Sequence, residues 1–180
     1  MGHFLFFMYL PITFMIRSFH LAFYLFLSLT CLMSACKSTK LSQQSTKPNK
    51  ETALRKALVS EAKKHLGVKY SYGGSSPSGF DCSGFTHYVY KKQDITLSRS
   101  SSEQSKLGKE IPISSSKAGD LLFFGRNGRK GKIQHVGMVF AHYKEVLQMI
   151  HASSSKGISI VDVYTSSYWK PKLLFCKRIL

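Results

Sequence analysis

The pattern of apolar residues changes near Gly108, and this change restricts the fold classes open to the chain. Before that point, apolar residues recur at helical spacing in one segment, formed by Leu54, Ala57, Leu58, Ala62 and Leu66. After it, short apolar runs predict strands that begin near Asp120, His135, Val146, Gly157 and Leu173. Helices first and strands later indicate an α+β domain, in which N-terminal helices pack on a C-terminal antiparallel β-sheet.

Helix signals in the first half are local and specific. Gly67 is predicted to stop the first helix, and a second helix is predicted from Cys82 to about Lys92. Ser100 followed by Glu103 has the spacing of a capping box for a short third helix. The intervening residues 67–81 are rich in Gly, Ser and Tyr and are predicted to form a loop.

The N-terminus resembles an export signal of a bacterial lipoprotein. Residues 21–33 are uncharged and apolar, a length that suits a signal-peptide core better than a membrane span. The sequence Met-Ser-Ala-Cys follows at residues 33–36 and resembles a lipobox, which implies cleavage before Cys36 and lipidation of that cysteine. The alternative is an uncleaved membrane helix, which would place Arg17 near the bilayer centre at a cost of about 2.5–3.5 kcal/mol.

These signals divide the chain into segments. Residues 1–35 are predicted to be the signal peptide, with Met15 as the true start because Arg17 then supplies the basic region that Met1 lacks. Residues 36–52 would be the lipidated cysteine and a flexible tether rich in Ser, Thr, Lys and Gln. The folded domain is predicted over residues 53–180.

Charge narrows the choice of partner. Lys and Arg total 26 against 9 Asp and Glu, which gives a formal net charge of +17 and favours an anionic partner. The chain has neither a phosphate-binding Gly loop nor an aromatic and basic platform for single strands. An exported lipoprotein would also not meet the chromosome, so we expect envelope polymers and no nucleic acid. Four cysteines in a chain of this length do not make a disulfide scaffold.

The stretch at residues 67–85, GVKYSYGGSSPSGFDCSGF, carries the strongest chemical signal. It places Cys82 at the start of a predicted helix, whose partial positive charge should lower the pKa of the thiol. The backbone N–H of Cys82 would face a developing oxyanion, and Gly79 and Gly84 would leave room for a substrate backbone. His135 opens one predicted strand and His151 closes the next, so neighbouring strands would bring both imidazoles opposite the helix.

Several motifs occur in an order that resembles the NlpC family of bacterial cell-wall cysteine peptidases, a branch of the papain-like fold. They lie at residues 70–74, 79–85, 97–104, 118–121, 135–138 and 150–152. The resemblance implies that Cys82 is the nucleophile, His135 the general base and acid, and His151 the residue that orients the His135 ring. It also implies that Tyr70 helps the Cys82 N–H to form the oxyanion hole.

Four residues beside the nucleophile are assigned to substrate binding, with alternatives. Asp81 either caps the helix that starts at Cys82 or binds a substrate amine, and Ser83 adjoins the nucleophile on its other side. Arg99 and Ser100 either contact a substrate carboxylate or cap the third helix. The outlying Cys176 is expected to be structural and His65 to lie at the surface.

The resemblance implies that no metal or cofactor is needed. A zinc site made from Cys82, His135 and His151 would lack any close ligand pair. The implied reaction is hydrolysis of an amide in peptidoglycan stem peptides, between a D-γ-glutamyl residue and a diamino acid. Two alternatives stay open, a wall-binding lipoprotein with a decayed site and a related amidase or acyltransferase. We expect a monomer held in the cell envelope by lipid at Cys36, on the outer membrane facing the periplasm if the cell is Gram-negative.

Overall fold

The structure is a computed structural model that describes residues 50–126 and 132–180. The predicted signal peptide of residues 1–35, the proposed start at Met15 and the lipidation site Cys36 lie outside the described residues. Tether residues up to 49, and residues 127–131 of the basic loop before Ile133, also lie outside them. No helix within the described part of the chain has the length and apolar character needed to cross a membrane.

In the described part of the chain, three α-helices precede most of the sheet, and the predicted α+β class is confirmed. They are α1 (Lys50–Lys63), α2 (Cys82–Lys91) and α3 (Ser101–Gln104). Helix α1 begins before residue 53, so its first residues belong to the segment predicted as tether. Glu51 supports this extra turn, because its carboxylate binds Arg55 Nε at 2.9 Å one turn later.

Two expectations about the end of the first helix need correction. Helix α1 ends at Lys63 and a turn follows, so Leu66 lies outside the helix and is 45% exposed. Gly67 completes the turn with φ of 81°, a conformation that favours glycine. His65 is buried instead of exposed, because it packs edge-on against Phe80 and Tyr88.

The main sheet has six antiparallel strands in the order β3-β8-β4-β5-β6-β7. They are β3 (Lys109–Ile111), β4 (Leu121–Gly125), β5 (Ile133–Tyr143), β6 (Val146–Ser153), β7 (Gly157–Asp162) and β8 (Leu173–Arg178). Strands β4 to β8 were predicted. The loop predicted at residues 67–81 contains a small antiparallel hairpin, β1 (Ser75–Ser76) and β2 (Gly79–Phe80).

The sheet separates two apolar clusters, because side chains on β4 alternate between its faces. Leu121 and Phe123 face the helices and pack with buried residues of α2 such as Phe85. Leu122 and Phe124 face the other side, where residues of the segment between β7 and β8 cover them. That segment includes Trp169 and ends in a short 3-10 turn at Lys170–Lys172.

A buried carboxylate fastens helix α1 to the sheet. Asp120 is fully buried, and its Oδ1 lies 2.9 Å from Arg55 Nη1 while its Oδ2 lies 2.8 Å from Arg178 Nη2. Tyr90 of α2 donates its hydroxyl hydrogen to the Gly119 carbonyl beside the same carboxylate. The helices are therefore held to one face of the sheet, and α2 contacts β5 and β6.

Candidate active site

Cys82 occupies the first position of α2 because Asp81 ends the preceding extended backbone and caps the helix. Asp81 has φ −91° and ψ 178°, and its Oδ1 accepts a hydrogen bond from the Gly84 N–H at 2.7 Å. The thiol packs against β5, where the backbone N–H of Val136 acts on it. The nucleophile candidate therefore lies against β5, the strand that carries His135.

The two predicted imidazoles are in direct contact. His135 on β5 and His151 on β6 belong to neighbouring strands, and His135 Nε2 lies 3.0 Å from His151 Nδ1. Their rings are nearly perpendicular, with an interplanar angle of 84°. Since Nε2 of His135 is used in this contact, Nδ1 is the ring nitrogen that stays available for the thiol.

Trp169 packs over both imidazoles, and the sequence reasoning missed it. Its ring lies 4.6 Å from the His135 ring at a tilt of 31°, and 4.9 Å from the His151 ring in an edge-on contact. Phe124 closes another side of His135, with ring centroids 6.0 Å apart. Trp169 is the only tryptophan of the chain, which is the one signal that pointed to it.

This apolar packing lowers the pKa values of both imidazoles. Burial lowers the pKa of His135 to about 3, with a further contribution from His151, and burial lowers the pKa of His151 to about 4. Only 2% of His151 is exposed. Both imidazoles are therefore neutral in the resting site, and neither can act as a fixed positive charge beside the thiol.

The pKa of the Cys82 thiol is raised, which corrects the expectation that the helix N-terminus lowers it. Burial is the main cause, and the negative charge of Asp81 adds to it. The N–H groups of Val136 and Ser83 act in the opposite direction but do not outweigh burial. The resting pair is a neutral thiol beside a neutral imidazole, so attack requires transfer of the thiol proton to His135.

Asp81 and Arg99 form a tight cluster on the other side of Cys82. Arg99 Nη2 lies 2.7 Å from Asp81 Oδ2, and its Nη1 lies 3.0 Å from Oδ1. The Gly73 N–H also donates to Oδ2, at 3.0 Å. Because both carboxylate oxygens have internal partners, the structure favours the capping alternative for Asp81 over the binding of a substrate amine.

The serines near the cysteine have internal partners as well. The buried Ser83 hydroxyl donates to Asp81 Oδ1 at 3.3 Å and accepts from Arg99 Nη1 at 3.2 Å. Ser100 caps α3, since its Oγ accepts from the Glu103 N–H at 3.2 Å. Arg99 keeps 41% of its side chain exposed, so its guanidinium remains accessible to substrate.

Gly79 and Gly84 serve packing, which corrects their assignment to substrate access. A Cβ atom on Gly84 would collide with the Gly74 carbonyl oxygen. A Cβ atom on Gly79 would collide with the Cβ of Ser71. Both glycines thus allow residues 70–74 to lie against the start of α2. This close approach brings Tyr70 towards the site through a bridge to Phe80.

Tyr70 lies within electrostatic range of the nucleophile. Burial raises the pKa of its hydroxyl, and negative charge at Asp81 or on a Cys82 thiolate raises it further, so the hydroxyl keeps its proton and can donate a hydrogen bond. Tyr72, which follows on the same loop, is 93% exposed. Tyr70 also lines a cleft of about 630 Å³ that extends past His135, His151 and Trp169.

The arrangement has the parts needed for nucleophilic catalysis. A thiol at a helix N-terminus adjoins an imidazole with one free ring nitrogen, and a second imidazole fixes the orientation of the first. The Cys82 N–H and the Tyr70 hydroxyl are donors near the place where an oxyanion would form. Sequence reasoning named each of these groups, and the structure places His135 against His151 and Cys82 against the strand that carries His135.

Known proteins are similar to this chain in sequence and in fold. A sequence model of the NlpC/P60 family matches residues 67–178. The chain is 42% identical over 123 residues to gamma-DL-glutamyl hydrolase from Bacillus subtilis, a match that covers 68% of this chain and 29% of the relative. It is 37% identical over 115 residues to the murein DD-endopeptidase and murein LD-carboxypeptidase MepS from Escherichia coli K12, covering 63% of this chain and 57% of the relative.

A solved structure agrees with these sequence matches. It is a crystal structure of an NlpC/P60 family protein from Bacillus cereus, with a TM-score of 0.64 and 32% identity. The alignment covers 70% of this chain and 40% of that protein. The chain thus spans less than two thirds of the length of each of these relatives.

Proposed function

The chain belongs to the NlpC/P60 family, and we propose that it is a cysteine peptidase that hydrolyses an amide bond in peptidoglycan stem peptides. The observation that carries this proposal is the contact of His135 Nε2 with His151 Nδ1, one residue along β5 from the Val136 N–H that acts on the Cys82 thiol. A site that only binds the cell wall would not require a nucleophile, a base and an orienting group on adjoining elements.

The proposed reaction begins with a proton transfer. Neutral His135 takes the Cys82 proton on Nδ1 as the sulfur attacks the carbonyl carbon of the scissile amide. For Nδ1 to be unprotonated, His135 must carry its hydrogen on Nε2 and donate it to His151 Nδ1 at 3.0 Å. His151 then carries its own hydrogen on Nε2, so one hydrogen bond sets the tautomers of both rings.

Two donors stabilise the tetrahedral intermediate. The Cys82 N–H and the Tyr70 hydroxyl hold the oxyanion, and His135 then protonates the leaving amine so that the amide bond breaks. A water molecule, activated by the same imidazole, releases the acyl group from the sulfur. Loss of one oxyanion donor typically costs about 10²–10³ in rate, so Tyr70→Phe is expected to retain only weak activity.

Arg99 recognises the acyl side of the substrate in this proposal. Its guanidinium is fixed by Asp81 and lies close enough to Cys82 for the two charges to interact. A γ-linked D-glutamyl residue carries a free α-carboxylate near its scissile bond, and an exposed guanidinium is suited to bind that group. We therefore assign cleavage to the bond between D-γ-glutamate and the diamino acid.

Incubation of the protein with purified stem peptides, followed by mass spectrometry of the products, tests the reaction. We expect new fragments that end in D-γ-glutamate, and we expect Cys82→Ser to form none while still binding the peptide. Cys176→Ala is the matched control, because that cysteine is fully buried in the opposite cluster. Full turnover by Cys82→Ser would reject the mechanism, and cleavage at a D,D bond would reject the assigned bond.

We also propose that the enzyme is a lipoprotein of the cell envelope, anchored through Cys36. The residues at 33–36 support this assignment, since small side chains precede the cysteine after an uncharged apolar core. Residues 37–49, which contain no acidic residue, would link the anchor to α1 and allow the domain to reach an anionic wall.

Membrane fractionation tests the anchor. Cys36→Ala should move the protein from the membrane to the soluble fraction, because stable anchoring needs more than one lipid chain. Cys31→Ala removes the neighbouring cysteine and should leave the protein in the membrane. If Cys36→Ala stays in the membrane as firmly as the unaltered chain, the uncleaved membrane helix is the better explanation.

A further inference from the structure

The cleft beside the imidazoles continues beyond the groups used in the reaction. Past His135 and Trp169 it reaches the turn between β6 and β7 and the 3-10 turn before β8. Lys156 and Lys172 line this far part, and serines make up much of the remaining wall. No aspartate or glutamate lines the cleft within the described residues, so its fixed charge is positive.

The two lysines have no carboxylate partner in the described part of the chain. Lys172 Nζ lies 3.1 Å from the centroid of the Tyr168 ring, a cation–π contact that holds the ammonium at the wall of the cleft. Lys156 extends from the exposed β6–β7 turn, whose backbone N–H groups bond to Ser153 Oγ. Ser166 Oγ accepts from the Trp169 N–H at 3.0 Å, which leaves its hydroxyl hydrogen available to a ligand.

The position of this cleft identifies the part of a substrate that would occupy it. His135 protonates the leaving amine, so the leaving fragment must lie on the His135 side of the scissile bond. The acyl fragment lies on the other side, against Cys82 and Arg99. Since the cleft is lined by His135 but not by Cys82, it lies on the leaving-group side.

We propose that Lys156 and Lys172 form a carboxylate subsite for the leaving fragment of the substrate. This inference rests on the proposed function and extends it, because it names the chemical class of the fragment after the scissile bond. The ligand is a peptide that starts with a diamino acid and bears a free carboxylate, either on the diamino acid side chain, as in diaminopimelate, or at the C-terminus. A lysine-type fragment with an amidated C-terminus lacks both carboxylates and should be a poorer substrate.

Four synthetic peptides test this subsite and separate the two carboxylate sources. Each contains D-γ-glutamate followed by a diaminopimelate residue and one alanine, and the side-chain carboxylate and C-terminal carboxylate are amidated singly, together or not at all. The measured quantity is kcat/KM for each peptide. We expect amidation of the recognised carboxylate to lower kcat/KM by about fivefold, the size of a partly exposed ion pair.

The variant Lys156→Met/Lys172→Met should lose this preference, so that the ratio of kcat/KM between free and amidated peptides falls close to one. The matched control is Lys144→Met/Lys170→Met, which makes the same change in net charge. Its lysines lie on the β5–β6 turn and in the same 3-10 turn as Lys172, but both line a different pocket. This control should keep the full ratio, and a loss of the ratio there would mean that net charge alone produces it.

Two outcomes separate failure of the subsite from failure of the proposed function. If the unaltered protein cleaves all four peptides equally, the subsite is rejected and the peptidase stands. If it cleaves none, the proposed function is rejected, and binding of the corresponding leaving fragments to Cys82→Ser by calorimetry still tests the subsite. Equal affinity for the free and amidated fragments in that measurement would reject it.

Discussion

Two neutral imidazoles in an aromatic enclosure set the chemistry at the scale of single residues. His151 is almost fully buried, and its contact with His135 leaves one nitrogen of the His135 ring for the thiol. Among the described residues, no carboxylate forms a hydrogen bond with either imidazole, in contrast to a triad in which an aspartate binds the histidine. The orienting group is therefore neutral, and an amide of suitable size could perform the same task.

Substitutions at the two histidines should follow a definite order. His135→Ala should lose nearly all activity, because it removes the proton acceptor, and His151→Ala should lose less. His151→Asn should retain the most, since an amide oxygen can accept the His135 Nε2 hydrogen. Measurement of kcat/KM for the three variants on one stem peptide tests the order. If His151→Asn were as inactive as His135→Ala, then His151 would take part in proton transfer.

Trp169 should control the pH range of the enzyme. Burial lowers the pKa of His135 to about 3, so His135 remains an unprotonated base well below pH 6.5, and activity should be lost only at more acidic pH. Trp169→Ala admits water to the imidazoles and should move this acid limit of kcat/KM upward towards 6.5. Trp169→Phe keeps an aromatic cover and should move it less. An acid limit at the same pH in all three proteins would show that Trp169 does not shield the pair.

The sequence allowed a role to be predicted for residues that lie at the start or end of a helix or strand. Cys82 starts a helix, and His135 and His151 lie near the beginning and end of predicted strands, so sequence patterns place them on neighbouring elements. Trp169 was not predictable in this way, because its position over His135 depends on the path of the segment between β7 and β8. Burial of the thiol was also missed, since a sequence shows the helix start but not the side chains packed above it.

At the scale of elements, the start of α2 carries Cys82 and organises the Asp81–Arg99 cluster. Asp81 both caps this helix and holds Arg99, and residues 70–74 pack against the same turn through Gly84. One carboxylate thus connects the position of Cys82 to the position of the guanidinium. Asp81 therefore affects both the stability of the fold and the reactivity of the Cys82 thiol, and different substitutions of Asp81 can separate the two effects.

Asp81→Ala should lower the free energy of unfolding by about 1–2 kcal/mol, because it removes the N-cap of α2. Asp81→Asn keeps an oxygen that can cap the helix, so it should cost less stability. It also removes a negative charge that raises the pKa of the Cys82 thiol, so alkylation of Cys82 at pH 8 should become faster. Denaturant unfolding and the rate of iodoacetamide labelling measure the two effects.

Ser100→Ala is the comparison for this pair, since it removes a cap from α3, where the serine bonds to Glu103. It should leave the labelling rate of Cys82 unchanged. A faster rate in Ser100→Ala, or a slower rate in Asp81→Asn, would contradict the coupling between Asp81 and the thiol.

The elements that sequence patterns missed are the shortest ones. Strands β1 and β2 have two residues each and β3 has three, too few for alternation of apolar and polar side chains to be visible. Their pairing comes from neighbours, since β3 lies beside β8 at the edge of the sheet. In contrast, β4 to β8 contain enough apolar residues for the sequence pattern to predict each strand without knowledge of the strands it pairs with.

At the scale of the whole molecule, the site lies between the helical layer and the sheet. The candidate nucleophile belongs to α2, while the candidate base and its partner belong to β5 and β6. Sequence patterns predict the two layers but not the order of strands, because the insertion of β8 between β3 and β4 depends on long-range pairing. The same layer contact buries the imidazoles, so protonation and folding are linked.

Stability should fall as the pH drops from about 6.5 towards 4. Burial lowers the pKa of His135 to about 3 and of His151 to about 4, whereas the unfolded chain binds these protons near 6.5. Each histidine that stays neutral in the folded state below that pH costs about 1.4 kcal/mol per pH unit. Thermal unfolding followed between pH 8 and 4 measures this loss.

The variant His151→Gln removes one of the two groups and should make Tm less dependent on pH in this range. His142→Gln removes a histidine from a separate contact with Ser116 and serves as the control. A dependence that is equally steep in the unaltered protein and in His151→Gln would mean that other groups cause the acid loss.

The position of β8 has a consequence for the time at which the site first exists. It is the last of the described strands in chain order, yet it lies inside the sheet, paired with β3 on one side and β4 on the other. Strand β4 in turn supports β5, which carries His135. A chain that still lacks β8 cannot complete this sheet. The strand that carries His135 would then lack the full support of its neighbours, although the helix that carries Cys82 could already have formed. The candidate site would therefore assemble only after β8 has joined the sheet, whichever process delivers the unfolded chain.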